Sequence, residues 1–304
     1  MPTTLIAVAA APSSPEPSDV RWRFATGEEI VPGRRAQHRL GGGERYEAWV
    51  AWNDRMMAPV VLKLLRPNLV GDERARRAIA AEGEVLGRLN HPGLTRLFAM
   101  DVNGPLPFIE IELVDGPRLS TLVRRHGRLT PEQAFPLARQ LAATLHYLHT
   151  EGLLHLDVKP ANVIMGPVPR LIDLSVARRL EDVPSIRHHI GTDAYMAPEQ
   201  ADRALFGQIA HASDSWGLGV TLYESLARHL PYPRGRRDGT LHQRFPQLAL
   251  PAAALPPERY SQRMADLVAR CLARDPADRP LPAELFDELD ELAARAGVGR
   301  LRTR

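Results

Sequence analysis

The chain has 304 residues, 44% hydrophobic and 25% charged, which excludes a mostly disordered or collagen-like polymer and allows one large domain or two modest lobes. Its 39 Lys and Arg stand against 36 Asp and Glu, a formal net charge of +3, so no concentrated basic surface for nucleic acid is expected. The single cysteine, Cys271, cannot form an intramolecular disulfide and reads as a small buried residue in a helix.

The first residues are rich in Ala, Pro and Ser, with Pro12-Ser13-Ser14-Pro15-Glu16-Pro17, and cannot bury enough apolar surface to order themselves. Residues 1–36 are therefore expected to form a flexible tail. The apolar run Leu5 to Ala11 has no positive side chain before it and is too short to span a bilayer. No other stretch reaches spanning length, so the expectation is a cytoplasmic protein with no membrane partner.

From 37 to 115 the pattern is mostly strand-like, with runs such as Trp49-Val50-Ala51-Trp52 and Val60-Val61-Leu62-Lys63-Leu64-Leu65. Near its start, Arg39-Leu40-Gly41-Gly42-Gly43-Glu44-Arg45-Tyr46 sets a glycine-rich turn between two such runs, where backbone amides can approach phosphates unobstructed. A plain β-turn accounts for three glycines equally well.

One helix interrupts the strands, from Asp72 as N-cap to Leu89. Ala75, Ile79, Leu86 and Leu89 form its apolar stripe, and Glu82 completes that stripe. A carboxylate on the inward face needs a partner, and Lys63 is the only lysine nearby in sequence. Glu84 lies off the stripe and is expected in solvent. Gly83 and Gly87 each cost the helix about 1 kcal/mol relative to Ala, so a helix that is mobile when unsupported is expected.

After Gly116-Pro117 the chain turns mainly helical, with apolar periodicity over 131–150, 213–227, 261–273 and 283–295. Residues 116–296 are assigned to this second lobe and 297–304 to a C-terminal tail. The Pro- and Ala-dense stretch 241–259 is expected to be a loop covering the lobe. Arg234-Gly235-Arg236-Arg237 lies in another Pro/Gly-rich loop, as either a solvated segment or a contact for an acidic partner.

Within this lobe, His155-Leu156-Asp157-Val158-Lys159-Pro160-Ala161-Asn162 follows an apolar helix and precedes two short strands, with Asp173 at the exit of the second. Two acids, an Asn and a Lys then converge at strand and loop ends, as a site for a metal and phosphoryl oxygens needs. Composition adds a second signal. Of the 39 Lys and Arg residues only Lys63 and Lys159 are lysine. A compact ammonium fits a phosphate cradle where a planar guanidinium does not. No thiolate cluster or His-Glu-x-x-His pattern accompanies His146, His149, His188 and His189, which read as packing or surface residues.

Together these motifs resemble the protein kinase family, specifically the bacterial members similar to eukaryotic Ser/Thr kinases, over roughly residues 37–296. The resemblance implies an α+β, bilobal fold: a small β-rich N-lobe with one regulatory helix and a larger, mainly helical C-lobe, with Mg·ATP between them. It implies that Lys63 holds the α- and β-phosphates and pairs with Glu82, and that Asp157 accepts or orients the substrate hydroxyl proton. Lys159 would neutralise charge on the transferred group, Thr192 would bond Asp157 and Lys159, and Asn162 and Asp173 would ligate Mg²⁺. Leu40, Gly41, Gly43 and Ala48 would cover the nucleotide. Ile111 would be the gatekeeper, and the backbones of Glu112 and Val114 would face the adenine edge. Ala197-Pro198-Glu199, Arg279 and Asp214 match architectural positions.

The chain departs from the family pattern at Tyr46, at Leu156 and at Ser175 in Asp173-Leu174-Ser175. Leu156 stands where an arginine would meet an activation-loop phosphate, which implies a non-RD kinase whose activity does not require that phosphate. Ser185 is the only hydroxyl between Ser175 and Thr192. The expected function is ATP- and Mg²⁺-dependent phosphorylation of a protein Ser/Thr hydroxyl. A pseudokinase that binds nucleotide or a partner is the alternative. With no sensor domain or membrane span expected after Leu301, input is expected through a regulatory protein partner or the tail.

Overall fold

The computed structural model describes residues 20–295 and divides the chain into two units, Met1–Gly83 with Leu97–Leu113, and Glu84–Arg96 with Val114–Arg304. The first is built on a six-stranded antiparallel sheet of β1 (Glu29–Val31), β2 (Arg34–Gly42), β3 (Tyr46–Asn53), β4 (Ala58–Leu65), β5 (Leu97–Asp101) and β6 (Phe108–Glu112). The spatial order is β1-β2-β3-β4-β6-β5. Alternation makes both faces apolar. Val60, Leu62 and Leu64 of β4 join Trp49, Ala51, Ile30 and Phe108 in one cluster, against which Trp22 and Phe24 pack.

One expectation is corrected here. Residues 29–36, assigned to the tail, instead form β1 and the start of β2, because Ile30, Val31 and Ala36 bury against the sheet. Residues 1–19 and 296–304 lie outside the described residues. The inserted helix α1 (Glu73–Arg88) begins as read, with Asp72 Oδ1 accepting from the Ala75 amide at 2.7 Å, and Glu84 is exposed. Gly83 fits closely: a Cβ there would lie 2.5 Å from Met100 Sδ and 3.1 Å from Ile109 Cγ2, so a larger residue requires the Met100 side chain to swing aside and Ile109 to give by a few tenths of an ångström.

The second unit is mainly helical, as expected: α2 (Leu119–His126), α3 (Pro131–Thr150), α4 (Pro198–Ala201), α5 (Arg203–Phe206), α6 (His211–Ala227), α7 (Leu241–Arg244), α8 (Gln262–Cys271) and α9 (Pro282–Arg295). Between α3 and α4 lie the two-residue strands β7 (Leu153–Leu154), β8 (Val163–Ile164), β9 (Arg170–Leu171) and β10 (Arg178–Arg179), paired as β7 with β10 and β8 with β9. Helix α3 buries Ala134, Ala138, Leu141, Leu145 and Leu148 at helical spacing, while α6 is buried on nearly every side. The stretch 241–259 is not all loop. Thr240 Oγ1 caps α7 at Gln243 N, and a 3₁₀ turn follows at Pro246–Leu248. Among the described residues no helix is long and apolar enough to cross a membrane.

Candidate active site

In the sheet unit, register alone sets a row of named residues side by side. Gly41 of β2 pairs with Ala48 of β3, Ala48 with Lys63 of β4, and Lys63 with Ile109 of β6. Leu40 precedes Gly41 and is exposed, Gly43 follows the end of β2, and Ile111 and Glu112 continue β6. Lys63 reaches from this row to α1, where its Nζ donates to Glu82 Oε1 at 2.7 Å and Oε2 at 2.9 Å. Side-chain exposures of 12% and 3% make this a partly desolvated pair, so each charge depends on the other. Tyr46 covers it, with Lys63 Nζ 4.7 Å from the ring centroid.

The glycine-rich turn is fastened from behind by residues that the sequence left unremarked. Arg66 donates to Gly43 O at 2.6 Å and to Val20 O at 3.2 Å. The buried carboxylate of Glu47 accepts from Arg39 Nε at 2.9 Å, Trp49 Nε1 at 3.3 Å and Trp22 N at 3.2 Å. A usable signal existed: alternation in β3 puts Glu47 on the same face as Trp49 and Ala51, and a carboxylate on an apolar face requires donors.

In the helical unit, the loop between β7 and β8 carries the acid. Asp157 Oδ2 accepts from Lys159 Nζ at 2.7 Å and Asn162 Nδ2 at 3.0 Å, and Lys159 Nζ also donates to Thr192 Oγ1 at 2.6 Å. The other oxygen, Oδ1, is buried and has no hydrogen-bond partner among the described residues. Asn162 and Asp173 flank the β8–β9 hairpin and are drawn together by the bond from Ile172 N to Asn162 O at 2.8 Å. Asn162 commits its amide nitrogen to Asp157, by bonds to the carbonyl and Oδ2 at 3.0 Å each, so of its amide group Oδ1 is the atom available to a cation. Asp173 is exposed. An amide oxygen beside a carboxylate is a donor set that suits Mg²⁺, a hard cation. Val114 lies in this unit, just past the end of β6.

Among the described residues, two of the four non-glycine residues with positive φ, Leu156 (62°) and Asp173 (70°), adjoin or belong to this set, and the fold holds both conformations. Leu156 is held by Asp214: its amide donates to Asp214 Oδ1 at 2.7 Å, and the His155 amide donates to Oδ2 at 2.9 Å. His149 Nε2 meets the same Oδ2 at 2.9 Å, while His211 stacks on His149 with centroids 4.3 Å apart. Burial pushes the Asp214 carboxyl up, but the His149 hydrogen bond, the histidine charges and the backbone donor outweigh it, so its pKa lies below the usual value. His149, read as a packing or surface residue, is thus a further partner of the carboxylate that holds the loop carrying Asp157. Gly191, at φ 102°, lies so near that loop that a Cβ would sit 2.5 Å from Leu156 O.

The activation segment ends in a closed ion pair. Arg279 donates to Glu199 Oε1 at 2.7 Å and Oε2 at 2.9 Å, Ser213 Oγ donates to Oε1 at 2.7 Å, and both charged side chains are wholly buried.

Comparison with known proteins shows the family. A sequence profile described as "Protein kinase domain" matches residues 35–288. The chain belongs to the protein kinase family. It is similar to the Serine/threonine-protein kinase PkaA of Streptomyces coelicolor, 34% identical over 247 residues, which covers 79% of this chain and 44% of that protein. It is also similar to PknA of Mycobacterium tuberculosis, 29% identical over 254 residues (81% and 57%), and to PknB of Mycobacterium leprae, 30% identical over 252 residues (79% and 39%). The matched stretch therefore spans between about two fifths and three fifths of these kinases' own lengths.

Proposed function

We propose that the protein is a Ser/Thr protein kinase that transfers the γ-phosphoryl group of Mg·ATP to a protein hydroxyl without needing phosphorylation of its own activation segment. The observation that carries this reading is the Asp157 carboxylate. Lys159 and Asn162 fix one oxygen, and the other is buried without a partner, an acceptor held ready for the proton of an incoming hydroxyl. Thr192 anchors Lys159, so one ammonium both orients the acid and stands beside the oxygens of the transferring group. Lys63, held by Glu82, grips the α- and β-phosphates. Mg²⁺ held by Asn162 and Asp173 would supply charge neutralisation at the phosphate oxygens.

Independence from activation-segment phosphorylation rests on Leu156. Its side chain packs with Leu154, Val183, Ile186, Ile190 and Ile209, so apolar contact holds the segment where an arginine and a phosphate would otherwise meet. Incubation with Mg²⁺ and γ-labelled ATP, with and without a generic protein acceptor, tests the proposal. Label is expected on protein with the parent and not with Asp157→Asn. Label on neither, or only on a soluble metabolite, would overturn it.

A further inference from the structure

The helical unit carries a concavity that the chemistry above does not use. At the C-terminal end of α6 a cavity of about 490 Å³ is lined by Glu224, Arg228, His229, Tyr232 and Arg234. A neighbouring cavity of about 320 Å³ shares His229 and adds Arg128, Glu258 and Arg259. All four arginines are exposed, and none has a carboxylate partner among the described residues. Elsewhere some exposed arginines find one, as Arg35 does with Asp54 at 3.1 Å, and others, such as Arg55 and Arg74, have none among the described residues. What sets these four apart is their place on two adjoining concave surfaces.

The two local carboxylates offset only part of the arginines' charge, two against four. Glu224 accepts the Tyr195 hydroxyl, and Glu258 stands alone against Arg128 and Arg259. Arg228, the C-cap of α6 at φ 66°, is held in place by a bond from Nη2 to Arg124 O at 3.4 Å. The groove also adjoins the reacting centre. Tyr195 follows Thr192 by three residues. Burial and then Glu224 push its hydroxyl pKa up, with Arg234 acting against them and Asp157 with them, so charges of both groove and catalytic loop reach one side chain. A concave surface with an excess of one sign concentrates its field, and guanidinium forks fit carboxylates.

We propose that this groove binds acidic residues flanking the acceptor hydroxyl, so that the protein substrate is a Ser or Thr set among Asp and Glu. The inference rests on the phosphotransfer reading, and the test separates the two. Three peptides carry one acceptor Thr flanked on both sides by Glu, Gln or Lys. Each is assayed for label transfer by the full chain, and each in an acceptor-less Thr→Ala form for binding by fluorescence anisotropy.

The Glu-flanked peptide should bind about tenfold tighter than the Gln-flanked one at low salt, with the advantage shrinking as ionic strength rises. The double variant Arg228→Glu, Arg234→Glu should invert the order in favour of Lys. Arg234→Gln alone, a milder change at an exposed and unpaired side chain, should keep the parent's melting temperature and lose about threefold of the preference. Equal affinities in the parent, or an order unchanged in both variants, would overturn the groove assignment. Preferential binding without label transfer to any peptide would instead overturn the kinase reading and leave an acidic-peptide site.

Discussion

Glu199 and Asp157 are both buried carboxylates of the helical unit, but their surroundings differ in one respect. Arg279 and Ser213 occupy both oxygens of Glu199, and the remaining donors of Arg279 are spent on Ala212 O, Ala273 O and Arg274 O. Only one oxygen of Asp157 is occupied. The first set is closed and can only hold structure together. The second is one partner short, a costly arrangement for a buried carboxylate that a hydroxyl donating to Oδ1 would relieve.

The contrast can be broken at either end. Asp157→Asn should cut label transfer about 10³-fold, within the range for loss of a general base, while the melting temperature stays close to the parent's. A large drop in melting temperature would make Asp157 a structural residue like Glu199. Arg279→Met should show the reverse pattern. A buried carboxylate loses its cation, stability falls by about 3 kcal/mol or more, and the melting temperature drops by roughly 10 °C.

A smaller effect is expected at Asp214, an intermediate case whose partners are two backbone amides and a histidine. Its folded carboxyl titrates below the ordinary value, so on acidification the unfolded chain takes up the proton first. The stabilisation is therefore fully present above about pH 4 and is lost as pH falls through the folded pKa. Denaturant titrations between pH 3 and 7 should show the parent losing stability faster below pH 4 than Asp214→Asn; parallel curves would refute the assignment. The smallest effect is predicted for Ser185→Ala. Ser185 is exposed and bonds only Asp182 O at 2.6 Å, so the initial rate of label transfer should stay within about twofold of the parent; loss of activity would restore a phosphorylation requirement.

Much of the site was legible because its signals are local. A carboxylate on an apolar helical stripe announced that Glu82 needed a cation, and the rarity of lysine pointed to Lys63 and Lys159. Asp157, Lys159 and Asn162 fall within six residues, so spacing alone placed them together. What stayed hidden depends on contacts between distant segments. His149 meets Asp214, 65 positions away, and nothing in its own neighbourhood announces that carboxylate. Three residues, Glu29–Val31, are too few to show alternation, so the start of the sheet merged with the tail. The α7 turn was masked by surrounding prolines and alanines, and its Thr240 cap was the one usable mark. That Leu156 replaces an arginine was evident, but the apolar cluster that receives it is assembled from four separate segments.

The scarcity of lysine has a practical consequence for labelling chemistry. Apart from the α-amino group, the only primary amines on the chain are those of Lys63 and Lys159, and each is bound to a carboxylate of the site. An acylating reagent that would decorate the whole surface of an ordinary protein is here directed to two positions. Its rate of incorporation at those two positions reports how often the ion pairs open, and protein immobilised through side-chain amines would be held through Lys63 or Lys159 with that pair broken.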